Sequence, residues 1–174
     1  QIYQGYGLTE VAGASHVNTI PVPSDKVGAV GQVVPNTYSK IIDTESGKEL
    51  GINEQGEVLI KGPHVMKGYL NNEEATKHCI DGDGWFHTGD IGYADEDGYF
   101  FIVDRVKELI KYKAYQVAPA ELEAILVSHE AIADAAVIPS PDEEAGEIPK
   151  GFIVLSSEIS AEAIMEFVAE QVAP

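Results

Sequence analysis

Three short runs of this chain combine residue types suited to holding a phosphorylated, planar ligand. The first is Gln4-Gly5-Tyr6-Gly7-Leu8-Thr9-Glu10. Glycines on either side of an aromatic ring let the backbone approach a flat ligand closely, and the ring gives that ligand a face. Thr9 offers a hydroxyl to a phosphate oxygen, and Glu10 offers a hard carboxylate oxygen to a Mg2+ ion bridging phosphates. The plain structural alternative is a glycine-rich turn around a buried Tyr, since Gly-aromatic-Gly is common in loops.

The second run is Trp85-Phe86-His87-Thr88-Gly89-Asp90. An acidic residue at the end of a strand and turn can accept hydrogen bonds from both hydroxyls of a ribose, as the acidic residue of dinucleotide folds does. The alternative is an aromatic-rich turn in which Asp90 caps local backbone. His87 reads as a supporting residue rather than a base. His16, His64, His78 and His129 show no metal-ligand spacing with Cys79, and Cys79 reads as a small packed residue.

The third run, Asp104 to Glu123, holds the chain's only arginine, Arg105, with Lys107, Lys111 and Lys113 close behind it. The formal charge of the whole chain is -18, so this strip concentrates the local positive field and suits an anion. Arg105 can fork onto ribose or phosphate oxygens. The alternative is a solvated charged connector.

Composition excludes several other classes. A charge of -18 argues against non-specific nucleic-acid binding, which needs many Lys and Arg contacts to phosphate. No apolar run approaches the roughly 20 residues of a membrane span, and the opening residues carry no signal-peptide pattern. A single cysteine excludes an internal disulfide framework and fits a reducing compartment, so the expected location is cytoplasmic. Position 1 is not Met and the chain stops just after a helical pattern, so the expectation is a piece of a longer protein whose remainder is its partner.

The elements that must position these runs fall into two groups. From 21 to 103 the chain reads as short strands separated by Gly-, Asn- and Asp-containing turns, with strands at Tyr38 to Ile42 and Glu57 to Lys61. Asn72 to Ile80 reads as a short helix. Two apolar arms around Asp95-Glu96-Asp97-Gly98 predict a hairpin. After Arg105 the pattern changes. Pro119 suits the first turn of a helix, Glu121 and Glu123 favour its positive end, and Leu122, Ile125 and Leu126 recur at helical spacing. Ile132 to Ile138 reads as a strand, Pro141 to Pro149 as a loop, and Gly151 to Leu155 as a second strand. Ser160 suits the N-cap of a helix burying Ile164, Phe167, Val168 and Val172. The predicted fold class is α+β: an antiparallel sheet or open barrel over 1-104, a hinge at 105-107, and a small α/β domain over 108-174.

Together the motifs resemble the superfamily of adenylate-forming enzymes that contains the acyl-CoA synthetases, the adenylation domains and the beetle luciferases, with 4-coumarate–CoA ligase as the nearest subfamily. The resemblance runs along the whole chain. It implies nucleotide contacts from Gln4, Gly5, Tyr6, Gly7 and Thr9, Mg2+ on Glu10, and ribose on Asp90 and Arg105. Lys107 matches the hinge of that superfamily. Lys111 and Gln116 match residues serving thioester formation and the acyl-adenylate, and Lys113 with Ala114 matches the coenzyme A contact. The acyl pocket would take Val11, Gly13 and Val17. Ala114 stands where the superfamily has Gly, and its Cβ crowds the expected pantetheine passage. ATP or AMP, Mg2+, coenzyme A and a small carboxylic acid are the implied ligands. The implied activity is a carboxylate–CoA ligase. A luciferase-type monooxygenase sharing the acyl-adenylate is the first alternative, and a peptide-synthetase adenylation domain is another. A non-catalytic module is a further one, because the superfamily's phosphate-binding loop and second catalytic lysine match nothing in these 174 residues. The segment by itself is therefore expected to be inactive, and a peroxisomal address remains open.

Overall fold

The computed structural model describes residues 3–113 and 115–172, so Ala114 lies outside the described residues. The chain divides into two compact units, with the division between Val106 and Lys107.

In the first unit β1 (Gly5–Leu8), β2 (Gly13–Val17) and β3 (Gln32–Val33) form an antiparallel sheet in that order. The Gly5 to Leu8 run is therefore a paired strand, with Gly5 opposite Val17 and Leu8 opposite Gly13, rather than a free turn. Gly7 is required by this pairing, because a Cβ there would overlap the Gly13 carbonyl oxygen. A second antiparallel sheet runs β4 (Tyr38–Ile42), β5 (Gly56–Lys61), β6 (Phe86–Ala94) and β7 (Phe100–Arg105). Helix α1 (Glu73–Cys79) precedes β6 and is capped by the Asn72 side chain, which accepts from the Ala75 amide at 3.0 Å. The β6–β7 hairpin forms around the predicted acidic turn. Asp95 Oδ1 accepts from the amides of Asp97 at 3.0 Å and Tyr99 at 2.9 Å, and Gly98 takes a φ of +76°. Val11, Ile41, Val58, Ile60, Phe86 and Phe100 make the core.

The second unit is a four-stranded antiparallel sheet in the order β10-β11-β8-β9: β8 (Ile110–Tyr112), β9 (Tyr115–Val117), β10 (Ile132–Asp142) and β11 (Gly146–Leu155). Helices α2 (Pro119–Val127) and α3 (Ala161–Ala169) join one core with Ile110, Leu126, Ile132, Val137 and Ile164. Pro119 does open its helix, and Ser160 caps the other, accepting from the Ala163 amide at 3.2 Å. Glu123 has a different job: its Oε1 accepts from the Val137 amide at 2.8 Å and ties α2 to β10.

Several expectations need correction. The Pro141 to Pro149 run is mostly strand, with a tight turn held by Asp142 Oδ1, which accepts from the amides of Glu144 at 2.9 Å and Ala145 at 2.8 Å. Pro139 pairs with Pro149, and Pro141 sits two residues further along β10. That alternate register leaves all three missing N–H groups where the β10–β11 ladder needs none. The basic strip is not a bare connector after Lys107, because it folds into the β8–β9 hairpin. Val172 lies beyond α3 and is 37% exposed, so only Ile164, with Phe167 and Val168 half-buried, anchors that helix.

Candidate functional site

The first unit carries an open cleft of about 710 Å3, lined by Gly5 to Glu10, Gly13, Ala14 and Arg105. Strand β1 supplies one wall, and the short 3-10 helix Thr9–Val11 turns Thr9 and Glu10 into it. Ala12 closes that helix in a left-handed conformation at φ 51° and sends the chain back along β2.

Asp90 stands behind Tyr6 and Arg105. It is 8% exposed, the Tyr6 hydroxyl donates to its Oδ2 at 2.6 Å, and Arg105 Nε lies 3.5 Å from its Oδ1. Burial first, and then this hydrogen bond, push the Tyr6 hydroxyl pKa far above its ordinary value. Asp90 does not sit at a strand end, as its motif suggested. It occupies a bulge inside β6, where Glu57 pairs with Ile91 and Leu59 with His87, so that three residues of β6 face one of β5. Bulges re-aim a side chain, and this one is pinned by hydrogen bonds at Thr88, Gly89 and Asp90. Gly89 takes a φ of +72°; the Thr88 hydroxyl donates to the Val58 carbonyl at 2.7 Å and accepts from the Asp90 amide at 3.1 Å. Asp90 and Arg105 are cross-strand partners, and the Val106 amide donates to the Gly89 carbonyl at 2.8 Å.

Two residues that no motif singled out complete the support. Glu57 accepts from the Gly89 amide at 3.0 Å through Oε1 and faces His87 Nδ1 at 3.0 Å through Oε2, which gives His87 a structural partner. The Tyr69 hydroxyl donates to Glu10 Oε1 at 2.6 Å. An aromatic six residues after a Gly-Pro turn carries no sequence signal for that contact. His16 packs wholly buried between Tyr6 and Phe100, with ring centroids 5.6 Å and 4.4 Å away, and burial lowers its pKa to about 4.

The structure separates other residues from the cleft. Gln4 points away from it: with the amide nitrogen facing the carbonyls, Gln4 donates to Ala29 at 2.9 Å beside a smaller cavity of about 250 Å3. Val11 has no exposed surface and belongs to the core. Val17 is 44% exposed on β2 and does not line the cleft, whereas Gly13 does. In the second unit Lys111 and Gln116 are directly opposite across β8–β9, which puts both side chains on one face of the hairpin. Lys113 follows in a left-handed conformation at φ 53°, its amide donating to the Ala145 carbonyl at 2.8 Å. Lys107 is exposed at the start of this unit.

Among the described residues no cluster of three or more His, Cys, Asp or Glu side chains could hold a metal alone. The single carboxylate of Glu10 fits a Mg2+ ion that brings its own waters and phosphates, and does not fit a self-sufficient metal cage. No described helix is long and apolar enough to cross a membrane.

Comparison with known proteins agrees with this geometry. Residues 1–70 match the AMP-binding enzyme family, and residues 121–174 match the AMP-binding enzyme C-terminal domain. The chain is 56% identical over 173 residues to a 4-coumarate–CoA ligase of Pinus taeda, covering 97% of this chain and 32% of that protein. It is 53% identical over 173 residues to luciferin 4-monooxygenase of Photinus pyralis, covering 98% of this chain and 31% of that one. The solved structure of o-succinylbenzoate CoA synthetase from Bacillus subtilis with its acyl-adenylate intermediate superimposes with a TM-score of 0.84 at 33% identity, over 98% of this chain and 35% of that one. The chain thus spans about a third of the length of these two curated relatives. With the AMP-binding enzyme model over 1–70 followed by its C-terminal-domain model over 121–174, the chain belongs to the AMP-binding enzymes.

Proposed function

We propose that the whole protein is an ATP-dependent carboxylate–CoA ligase. The observation that carries this reading is the Tyr6–Asp90–Arg105 cluster beside the cleft. A buried carboxylate held by a phenol and facing a guanidinium is a ready acceptor for ribose hydroxyls, and the Gly5 to Gly7 backbone beside it is open to a planar base. In the reaction the carboxylate oxygen of the acid attacks the α-phosphorus of ATP and pyrophosphate leaves. The coenzyme A thiol then attacks the acyl carbon, AMP leaves, and the thiol proton passes to solvent.

This chain's own residues bind and orient. Asp90 takes the ribose hydroxyls, Arg105 adds a donor to the same sugar, and Thr9 offers its hydroxyl to phosphate. Glu10 would hold Mg2+, which supplies neutralisation of the phosphate charge. Lys107 serves as the hinge at the boundary of the two units, Lys111 and Gln116 act on the acyl-adenylate and its thioester step, and Lys113 with Ala114 meets coenzyme A. Gly13, which lines the cleft, contributes to the acyl site. Catalysis of this kind rests on positioning and charge neutralisation, with no covalent enzyme intermediate. The likeness to Photinus pyralis luciferin 4-monooxygenase supports a second reading, in which oxygen attacks the same acyl-adenylate. A cytoplasmic location suits the single cysteine, and one relative, from Arabidopsis thaliana, is a peroxisomal CoA ligase.

The test is pyrophosphate release by the whole protein with Mg2+-ATP and a panel of aryl and fatty acids, followed by coenzyme A addition. Acid-dependent pyrophosphate release and a CoA thioester are expected. Light emission without thioester moves the protein to the second reading, and absence of acid-dependent pyrophosphate overturns both.

A further inference from the structure

The short bond from the Tyr69 hydroxyl to Glu10 Oε1 joins positions 59 residues apart, and it is not isolated. The Met66 amide donates to the Glu10 carbonyl at 2.7 Å, so the segment leading into α1 is fixed to the Glu10 turn through main chain and side chain alike. Tyr69 is itself gripped from behind. Its amide donates to Thr76 Oγ1 at 2.9 Å, and that hydroxyl donates to the Asn72 carbonyl at 2.9 Å, inside the capped first turn of α1. Gly68 permits the approach, with a φ of +147° and a position where a Cβ would lie 2.7 Å from Thr76 Cγ2. A continuous set of hydrogen bonds therefore runs from α1 through Thr76 and Tyr69 to the Glu10 carboxylate.

The phenol occupies only one carboxylate oxygen. Among the described residues Glu10 Oε2 has no protein partner, and Glu10 lines the open cleft. An oriented carboxylate presents its second oxygen without losing rotational freedom at the moment of binding, which is how supporting partners raise the affinity of ligating groups.

We propose that Tyr69 is a positioning residue for Glu10, holding Oε1 and leaving Oε2 as the oxygen offered to the cation that accompanies a triphosphate. The inference rests on the reading of Glu10 as the Mg2+ contact. It names a residue of α1's lead-in, outside the three motif runs, as part of the metal-phosphate machinery.

The experiment measures ATP binding by calorimetry to the whole protein, in Mg2+ and in EDTA, for the parent, Tyr69→Phe, Thr76→Val, Thr76→Ser and Glu10→Gln, with thermal midpoints alongside. Tyr69→Phe is expected to weaken Mg2+-ATP about 10-fold while leaving ATP in EDTA, AMP and the midpoint unchanged. Thr76→Val should lose part of that affinity, and Thr76→Ser should retain it. An undiminished Mg2+ enhancement in Tyr69→Phe overturns the inference, as does an equal loss of ATP binding in EDTA, which would mark a purely structural role. Glu10→Gln separates the two layers. If it abolishes the Mg2+ enhancement while Tyr69→Phe does not move it, only the positioning role falls. If Glu10→Gln keeps the enhancement, the assignment of Glu10 falls and the inference with it.

Discussion

Replacing Tyr6 by Phe removes one oxygen and tests whether the site is held in shape before any ligand arrives. The hydroxyl donates to Asp90 at 2.6 Å, within the short range of charge-assisted O–H···O bonds. Asp90 is 8% exposed, so solvent replaces the lost donor poorly. Hydrogen bonds to charged groups contribute about 1.5–3 kcal/mol, and the expected cost of Tyr6→Phe is about 2 kcal/mol. Arg105 gives little compensation, since its side chain is 70% exposed and its Nε is 3.5 Å away; such a pair contributes about 1 kcal/mol or less. The double-mutant cycle with Asp90→Asn should therefore yield a coupling energy of about 1.5–2 kcal/mol. Urea unfolding followed by the fluorescence of Trp85, the chain's only tryptophan, reports on the first unit. A pH dependence accompanies it. The folded-state pKa of Tyr6 lies above its ordinary value of 10.0, so its contribution is complete below that pH and is lost as pH rises toward the folded value. Stability should fall above pH 10 less steeply in Tyr6→Phe than in the parent, the remaining slope being shared by Tyr69, Lys26 and Cys79, whose pKa values are also raised. A coupling energy below about 0.5 kcal/mol, in the range of measurement scatter, would refute the claim that this bond organises the site.

Two further outcomes follow from the supporting geometry. Gly7→Ala should cost about 2–4 kcal/mol or block folding of the first unit, because its Cβ overlaps the Gly13 carbonyl and forces β1 from β2; a thermal midpoint within a degree of the parent would contradict it. Glu57→Ala leaves the Gly89 amide and His87 Nδ1 without their acceptor and should cost about 1–3 kcal/mol while weakening AMP binding through the displaced bulge, with unfolding and calorimetry as the two measurements.

The parts of this molecule legible in the sequence are those whose physics is local. The Asp95 turn, the Pro119 helix start and the Ser160 cap each satisfy backbone groups within a few residues, and all three formed as read. What depended on pairing across the chain was harder to see. Gly5 to Leu8 looks like a turn by composition and becomes a strand because β2 lies beside it. Pro139, Pro141 and Pro149 look like loop punctuation, yet alternate spacing lets them pass through a ladder at positions where no donor is required. The bulge that aims Asp90 is a mismatch between two strands, and no single strand encodes it. Glu57 and Tyr69 were invisible for the same reason: each acts on a residue more than 30 positions away.

The two groups of candidate residues differ in how they are held, and that difference bears on what each does. In the first unit the polar atoms at the cleft are cross-linked. Tyr6 holds Asp90, Glu57 and Thr88 hold the bulge, and Tyr69 holds Glu10. Such a wall loses little entropy when a nucleotide binds, so its contacts convert efficiently into affinity. In the second unit Lys107, Lys111 and Lys113 are exposed, with Lys111 and Gln116 on a hairpin of three-residue strands. An exposed lysine keeps its rotamer freedom until an anion orders it, and side-chain ordering costs up to about 2 kcal/mol. Under the ligase reading that cost falls on states in which an anionic intermediate or cosubstrate has arrived, rather than on the resting protein. A preformed nucleotide wall and loosely held lysines suit chemistry in which one nucleotide stays bound while successive partners react with its acyl derivative. Binding energy is then drawn from the rigid half, and selectivity among steps from the half that must be ordered anew each time.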